Sequence, residues 1–383
     1  MKIVLSGVET NNKGAELMLY AILQEIERKY PEAIVYVAPD SIYQGLGYIK
    51  TSLNLKNKPI AYLMRICRLL HLYGIVRRLH ITPLWFYDIY AVKGTDYFID
   101  DGGFHFSDKW DLSEEFIQQR RMLWESHKKE GTKIIFLPQA FGPFEKNKSR
   151  QYLSYMAKCA DLIMPREMKS YDYLEKSGMV NMQKVKKYSD FTVLVDGVFP
   201  QKYENLKGGV CIIPNIRMTD KGGLSVVRYV NLLTNIINHI HNQGYMVYIL
   251  NHEGKDDENL AYLCQQKSDS KIEVVTGLNA LEVKGLISTA YMVVTSRFHG
   301  LVSSLNSCVP CLSTGWSHKY AELYKDYELE GCILPLDNDD SCYDMIDRLL
   351  ISQQNAFVRS HLQKIKPRLQ QEARRMWEQV WNI

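Results

Sequence analysis

The sequence predicts an α/β protein made of two doubly wound, Rossmann-like domains that face each other across a cleft. Short apolar runs typical of buried strands alternate with longer runs of helical spacing along almost the whole chain. This alternation is broken once, at Phe199-Pro200 and the polar stretch that ends at Gly209. The chain has 383 residues, and at about 100–200 residues per domain this length accommodates two domains.

The first series of elements assigns residues 1–205 to the N-terminal domain. Its opening strand leads into a polar loop and a helix, and a later strand ends in two aspartates followed by two glycines. The predicted strands are 2–6, 34–37, 97–99, 133–137 and 162–164, and the predicted helices are 15–28, 112–129, 149–160 and 168–177.

The second series assigns residues 206–355 to the C-terminal domain and leaves 356–383 as a helix that packs back. We expect this last helix, Phe357 to Ile383, to be interrupted at Pro367, because proline lacks the N–H that a helix interior needs. The predicted strands are 210–213, 246–250, 272–275, 292–295 and 311–313, and the predicted helices are 225–242, 257–267, 280–290 and 301–307.

The composition excludes several classes of protein. The chain is 46% hydrophobic and 23% charged, with a formal net charge of +4, which argues against disorder, collagen and coiled coil. Its start does not resemble a signal peptide, and no run approaches the roughly 18 apolar residues of a membrane-spanning helix. The eight cysteines do not form a disulfide framework. We therefore expect a cytoplasmic protein, and the sequence gives no motif for a metal or for nucleic acid.

The positive charge is concentrated in one segment. Residues 41–87 contain no Asp or Glu but seven Lys or Arg, among them Arg65, Arg68, Arg77 and Arg78. The four arginines lie among Leu, Ile, Met, Tyr and Val, as they would in an amphipathic helix resting on an anionic membrane. An ordinary helical insertion with solvated arginines is an equal alternative.

Polar loops follow the predicted strands, where parallel sheets bind ligands. Asn12 and Gly14 belong to the first such loop, which offers backbone N–H groups to an anion or is simply a polar turn. Asp100 and Asp101 could hold sugar hydroxyls or act as a base, the alternative being a cap or turn. Further candidates in such loops are Gly102, Gly103, Gln139, Arg166, Asn215, Arg217, Asn251 and His252; for Arg166, an internal ion pair with Glu167 is the competing interpretation.

The loop from Thr295 to Gly300 is the most specific candidate. It follows an apolar run and opens a helix, and it carries Arg297 and His299 two residues apart. A guanidinium is a planar, permanent cation suited to phosphate or carboxylate. An imidazole beside it can move a proton at neutral pH. We favour a functional over a structural role for this pair.

Taken together, these motifs resemble the polysaccharide pyruvyltransferase family over most of the chain. The resemblance rests on the Asn-rich loop through Gly14-Ala15-Glu16, Gly102-Gly103, Pro138-Gln139 and Arg166-Glu167. It continues with Ser296-Arg297-Phe298-His299-Gly300 and the loop that contains Ser317 and His318. Many members carry an acidic residue where this chain has Ala15, so the contacts of the first loop with substrate are in question.

The resemblance implies a GT-B-like fold and transfer of pyruvate from phosphoenolpyruvate to a sugar as a cyclic ketal, without a cofactor. Arg217 and Arg297, with Arg166 behind them, are then the cations for the donor. His299 is the expected acid/base, and either Asp100 or Asp101 would bind or deprotonate the acceptor. The acceptor is expected to be a polyprenyl-diphosphate-linked oligosaccharide met at the inner face of the membrane.

Two other functions are compatible with the residues. A GT-B glycosyltransferase would use a sugar nucleotide, with Glu322 as a residue that could hold the ribose. A non-catalytic polysaccharide-assembly protein would keep the fold without the chemistry, although the joint presence of Arg217, Arg297 and His299 argues against it.

Overall fold

The computed structural model describes residues 1–38, 51, 53–56, 92–315, 317–336 and 338–383. These residues form two compact units, the first made of 1–10, 18–189 and 374–383 and the second of 11–17 and 190–373. The main division therefore falls at Ser189/Asp190, whereas the expected boundary was 205/206. The four arginines of the predicted basic segment, Arg65, Arg68, Arg77 and Arg78, lie outside the described residues.

The first unit contains a six-stranded sheet in which every described strand pair is parallel. Its order is β3-β2-β1-β4-β5-β6, so the direction of strand addition reverses between β1 and β4. At that point Ser6 and Asp100 are register partners. The strands are β1 (Lys2–Ser6), β2 (Ile34–Val37), β3 (Asn54–Lys56), β4 (Tyr97–Asp100), β5 (Lys133–Gln139) and β6 (Leu162–Pro165).

The central strands of this sheet are apolar along their length because helices cover both of their faces. Ile3, Val4 and Leu5 are fully buried, as are Phe98 and Ile99. The helices in this part of the chain are α1 (Lys13–Lys29), α2 (Glu114–Lys129), α3 (Asn147–Cys159) and α4 (Met168–Ser177), with a 3₁₀ turn at Met182–Lys184.

The second unit contains a five-stranded parallel sheet of order β11-β10-β7-β8-β9. Here the reversal lies between β7 and β10, whose last residues Ile213 and Thr295 are register partners. The loops that follow these two strands therefore begin side by side, at the point where such sheets bind ligands. The strands are β7 (Val210–Ile213), β8 (Val247–Leu250), β9 (Glu273–Val275), β10 (Met292–Thr295) and β11 (Cys311–Ser313).

The second unit has a core that includes Tyr229, Ile236 and Ile249, and the last helix of the chain continues beyond this unit, from Arg374, into residues of the first. Two 3₁₀ turns, Phe191–Leu194 and Gln201–Leu206, precede the sheet. The helices are α5 (Arg217–Asp220), α6 (Val226–Asn242), α7 (Gly254–Lys267), α8 (Ala280–Ser288), α9 (Phe298–Asn306), α10 (Lys319–Asp326), α11 (Asp339–Leu350) and α12 (Ser352–Trp381).

The last helix corrects one expectation. It is a single 30-residue helix with Pro367 inside it, so the predicted interruption is wrong. Pro367 is exposed, whereas Leu362, Ile365 and Leu369 on the other side of the helix are buried. Burial of that apolar side offsets the one lost backbone hydrogen bond, whose carbonyl is left near solvent. In the described part of the chain no helix is long and apolar enough to cross a membrane.

The start of α9 corrects a second expectation. Sequence spacing predicts a helix from Leu301, but the helix begins at Phe298 with Arg297 as its N-cap residue. His299 therefore lies in the first helical turn. Arg297 retains extended backbone angles, so the two side chains do not share one extended segment.

Candidate functional site

The first group of site residues surrounds Asp100 at the carboxyl ends of β1 and β4, and we call it the aspartate cluster (Ser6, Asp100, Asp101, Arg120, Gln139). Arg120 Nη2 donates to Asp100 Oδ2 at 2.5 Å, and the Ser6 hydroxyl donates to the same oxygen at 3.0 Å. Gly102 N–H and Gln139 Nε2 donate to Oδ1 at 3.1 and 3.2 Å. Both oxygens of this carboxylate are thus engaged within the unit.

The charge of Asp100 follows from this environment. Burial raises its pKa to about 6, and the hydrogen bonds from Gln139, Gly102 and Ser6 oppose the rise. Asp100 is therefore a carboxylate at neutral pH. Its partner Arg120 comes from the middle of α2, where its Nε also donates to Tyr152 at 3.1 Å. We assign Asp100 a structural role, because it forms a buried ion pair with Arg120.

Asp101 is buried like its neighbour but lacks the neighbour's side-chain hydrogen bonds. Its side chain is 2% exposed, and neither oxygen has a hydrogen-bond partner in another described residue. Burial, followed by the charge of Asp100, raises the pKa of Asp101 well above its ordinary value. A buried carboxyl group with a raised pKa is a candidate for proton exchange with a hydroxyl.

Close backbone packing explains the glycines beside these aspartates. Gly7 has a φ of +76°, and a Cβ on it would lie 2.7 Å from the backbone of Gly102. A Cβ on Gly102 would in turn lie 2.7 Å from His105 Nδ1, and Gly103 has a φ of +66°. Only glycine fits these positions without strain.

Arg166 follows β6 in the same unit. Its side chain is buried and its Nε lies 3.8 Å from Glu167 Oε2, while its N–H donates to the Gln139 carbonyl at 3.0 Å. Glu167 also accepts a hydrogen bond from Ser170. The internal Arg166–Glu167 pair anticipated in the sequence is present.

The second group lies in the other unit, and we call it the histidine cluster (Asn12, Asp190, Glu253, Asp257, Arg297, His299). Its loop is fixed by Ser296, whose hydroxyl accepts hydrogen bonds from Tyr229 and Thr314, each at 2.5 Å. The Ser296 carbonyl accepts from Asn215 Nδ2 and from the Tyr320 hydroxyl, each at 2.7 Å. These bonds hold the chain rigid just before Arg297.

Arg297 joins two carboxylates of this unit. Its Nε donates to Asp257 Oδ2 at 2.6 Å and its Nη1 bonds to Glu253 Oε2. Glu253 also accepts from Asn12 Nδ2 at 2.8 Å. Two acids therefore already face this guanidinium.

His299 lies between Gly14 and Asp190. Its Nε2 is 3.5 Å from Asp190 Oδ2, and a Cβ added to Gly14 would lie 2.1 Å from its Nδ1. The imidazole is therefore pressed against the backbone of α1 on one side and faces a carboxylate on another.

The remaining predicted residues have varied surroundings. Arg217 is more than a third exposed and pairs with Asp220 at 2.5 Å. Asn215 is buried, and its side chain accepts from the Arg217 N–H besides donating to Ser296.

His252 is buried and its pKa is well below the ordinary value because of burial and the charges of Arg297, His299 and Lys13. Asn251 Nδ2 donates to the Gly254 carbonyl at 3.1 Å, and Ser317 and His318 immediately precede α10.

Sequence reasoning missed five residues of the two clusters: Ser6, Arg120, Asp190, Glu253 and Asp257. Glu253 stood beside the selected His252, so an acid next to a candidate loop was an available signal. Arg120 and Asp190 gave none, because they are distant in sequence from the residues they contact.

The fold is similar to that of several solved proteins, among them UDP-GlcNAc 2-epimerases and a glycosyltransferase. The UDP-GlcNAc 2-epimerase of Methanocaldococcus jannaschii, solved with UDP-GlcNAc and UDP, has a TM-score of 0.55 at 13% identity, covering 93% of this chain and 94% of that one. The Neisseria meningitidis UDP-GlcNAc 2-epimerase gives 0.55 at 8% identity with full coverage of both chains (100% and 100%). A Rickettsia africae glycosyltransferase gives 0.54 at 10%, covering 99% and 97%. The chain therefore has the GT-B-like α/β fold.

The family follows from the sequence itself. The family model described as polysaccharide pyruvyl transferase matches residues 12–318, which is well over half of the chain and includes nearly all residues of both clusters. The chain belongs to the polysaccharide pyruvyl transferase family, as its motifs predicted, and the family is one of transferases.

Proposed function

We propose that this protein transfers the pyruvyl group of phosphoenolpyruvate to two hydroxyls of a sugar, forming a cyclic ketal and releasing phosphate. The observation that carries the proposal is the His299–Asp190 pair at the carboxyl end of β10 in a chain of this family. An imidazole supported by a carboxylate is suited to delivering a proton and recovering it.

The proposed reaction balances as follows. A proton is added to the methylene carbon of phosphoenolpyruvate, and the first sugar oxygen bonds to the adjacent carbon while its own proton leaves. The carbon–oxygen bond to phosphate then breaks, and the second sugar hydroxyl bonds to the same carbon and loses its proton. The two hydroxyl protons end on the new methyl group and on the departing phosphate.

His299 is the group we assign to protonation of the methylene carbon. Asp101 is the group we assign to the acceptor hydroxyl, since Asp100 is fully engaged with Arg120, Ser6, Gln139 and Gly102. Burial and the charge of Asp100 raise the pKa of Asp101, and a higher pKa makes its carboxylate a stronger base toward a hydroxyl than an ordinary aspartate.

Arg217 is the cation we assign to the phosphate of the donor. Its side chain is partly exposed and its partner Asp220 is exposed as well, so a dianion can replace Asp220 at little cost. Arg297, held by Glu253 and Asp257, contributes by fixing the start of α9 and hence His299.

The test is release of phosphate from phosphoenolpyruvate in the presence of lipid-linked galactosyl-type acceptors, with His299→Ala and Arg297→Ala alongside. We expect acceptor-dependent phosphate that both variants lose. Thermal-shift measurements with phosphoenolpyruvate and with UDP-sugars form the control. Stabilisation by UDP-sugars alone, without any phosphate release, would favour a sugar-nucleotide glycosyltransferase.

We further propose that the basic segment of residues 41–87 holds the protein at an anionic membrane surface, where a lipid-linked acceptor is found. The support is the sequence alone: seven cations and no acid, each cation contributing about 1 kcal/mol near such a surface. Liposome co-sedimentation of a variant with Glu at 65, 68, 77 and 78 tests it. The matched control changes the exposed Lys129, Lys176, Lys271 and Lys364 to Glu; equal binding by both variants contradicts the proposal.

A further inference from the structure

Two hydrogen bonds from Thr192 to one carboxylate oxygen help to place Asp190. It is the N-cap residue of the 3₁₀ turn Phe191–Leu194. Its Oδ1 accepts from the Thr192 N–H at 3.0 Å and from the Thr192 hydroxyl at 2.5 Å. The other oxygen, Oδ2, faces His299 Nε2 at 3.5 Å. The carboxylate is thus fixed at one end and directed at the imidazole with the other.

A second layer of buried groups holds this turn against the helix that carries His299. Asn306, at the end of α9, has its Nδ2 3.5 Å from Thr192 Oγ1, and it accepts from the Tyr327 hydroxyl. Lys284 of α8 donates from Nζ to the Thr192 carbonyl at 2.8 Å. Because His299 and Asn306 are the two ends of the same short helix, the turn and the imidazole are held in a constant relation.

Lys284 is a buried cation that bonds to the 3₁₀ turn Phe191–Leu194. Its side chain is 3% exposed, and burial lowers its pKa to about 7, against the opposing charge of Asp190. A lysine is rarely buried unless it has a partner. Its hydrogen bond to the Thr192 carbonyl therefore indicates that the turn is held in one conformation.

The charges around His299 decide what Asp190 does electrostatically. Arg297 precedes it in the chain, and the charges of His299, Arg297 and Lys13 act together on the buried His252. These cations disfavour a proton on His299, whereas the Asp190 carboxylate favours it. The Asp190 carboxylate lies 3.5 Å from the imidazole Nε2.

We propose that Asp190 is the positioning residue of the proton-transfer step: its carboxylate orients the His299 ring and stabilises the protonated imidazole. This inference rests on the proposed function for its catalytic consequence. It adds a residue that lies outside every motif of the sequence, on a turn that precedes the second sheet.

The deciding variant is Asp190→Asn, because an asparagine oxygen can still accept from Thr192 while the charge is lost. We expect kcat to fall roughly 10–100-fold, as for other groups that orient a reacting residue, with KM for phosphoenolpyruvate changed less than about twofold. The alkaline limb of the rate profile should move to lower pH, because His299 then loses its proton more readily. Asp196→Asn, an exposed aspartate six residues on, is the matched control and should leave all three quantities unchanged.

A readout that does not require turnover separates this inference from the proposed function. In protein with ¹⁵N-labelled histidine, the His299 signal, assigned by its absence in His299→Gln, should titrate at lower pH in Asp190→Asn than in the wild type. An unchanged His299 titration overturns the inference, as does an unchanged kcat with an active wild type. A lower melting temperature with kcat, KM and pH profile intact would make Asp190 a cap of its turn only. If Asp190→Asn shifts the His299 titration but the wild type never releases phosphate, the result contradicts the proposed function. The His299–Asp190 pair then has no catalytic role.

Discussion

At the scale of single residues, two adjacent aspartates have opposite surroundings although the sequence presents them as equivalents. Asp100 ends β4 and its carboxylate bonds to Arg120 and Ser6, whereas Asp101 begins the loop and its carboxyl oxygens have no hydrogen-bond partner among the described residues. Alternation of side chains along an extended backbone accounts for this, since successive residues point to opposite faces. The sequence could name both acids, but only the three-dimensional contacts distinguish them.

Asparagine substitutions should separate the two aspartates. Asp100→Asn leaves the buried Arg120 without its carboxylate, so we expect a loss of about 3–5 kcal/mol in the free energy of unfolding, measured by urea denaturation. Asp101→Asn should keep stability but lower kcat by roughly 100-fold or more if it exchanges a proton with the acceptor. Equal losses of stability in both variants would contradict the distinction.

Two of the arginines proposed from the sequence, Arg217 and Arg297, should differ in how their loss affects stability and KM. Arg297→Ala strands Glu253 and Asp257 and should destabilise the protein by several kcal/mol, about 3–5 for a broken buried pair. Arg217→Ala removes a partly exposed side chain, so stability should hold while KM for phosphoenolpyruvate rises. Melting temperature and KM measured for both variants check this. A KM effect confined to Arg297→Ala would reverse the two assignments.

At the scale of elements, the site depends on how α1 and α9 begin. Sequence spacing located both helices but began α1 at Ala15 and α9 at Leu301, a few residues late in each case. Such errors matter here because Gly14 lies in the first turn of α1 and His299 in the first turn of α9. Helix starts are set by capping and tertiary contacts more than by apolar spacing, and the Gly14–His299 contact is of that kind.

Gly14→Ala tests that contact directly. Alanine ordinarily stabilises a helix relative to glycine by about 0.5–1 kcal/mol, but here its Cβ would meet His299 Nδ1 at 2.1 Å. Since real atoms do not approach so closely, the imidazole must move, and a displacement of about 1 Å can cost roughly 100-fold in rate. We expect a large loss of kcat with a modest change in melting temperature.

The control for this variant is Gly315→Ala, whose Cβ would meet its nearest neighbours at 3.6–3.7 Å, an ordinary contact. It should leave kcat within about twofold of the wild type, consistent with the small cost of a substitution that fits its surroundings. If Gly14→Ala is as active as Gly315→Ala, then the ring of His299 is not held by α1.

At the scale of the whole molecule, the class of fold was predictable and the ionic framework was not. Apolar strands such as Lys2–Ser6 and Val210–Ile213 can be recognised in the sequence because both faces of a parallel sheet are buried. The strand Asn54–Lys56 was missed because its three residues are polar, apolar and charged. Ion pairs such as Arg120–Asp100 and His299–Asp190 join residues from different elements, and a single sequence carries no signal for them.

Buried titratable groups also give the molecule a dependence on pH, and His127 of α2 provides the clearest case. It is fully buried against Phe98, and burial, followed by the charge of Lys2, lowers its pKa from 6.5 to about 3. The folded chain therefore excludes a proton that the unfolded chain accepts below pH 6.5. Stability from this group is complete above pH 6.5 and is lost progressively as the pH falls towards 3.

Replacing His127 by Phe removes this titration while keeping a ring beside Phe98. Between pH 7 and pH 5 the wild type should lose about 2 kcal/mol more free energy of unfolding than His127→Phe, since the unfolded histidine gains its proton over roughly 1.5 pH units. Urea denaturation followed by tryptophan fluorescence at the two pH values measures the difference, and Trp124, buried in the same unit, reports on it. The same pH sensitivity in both proteins would mean that other groups, such as the buried His252 of the second unit, govern the acid response.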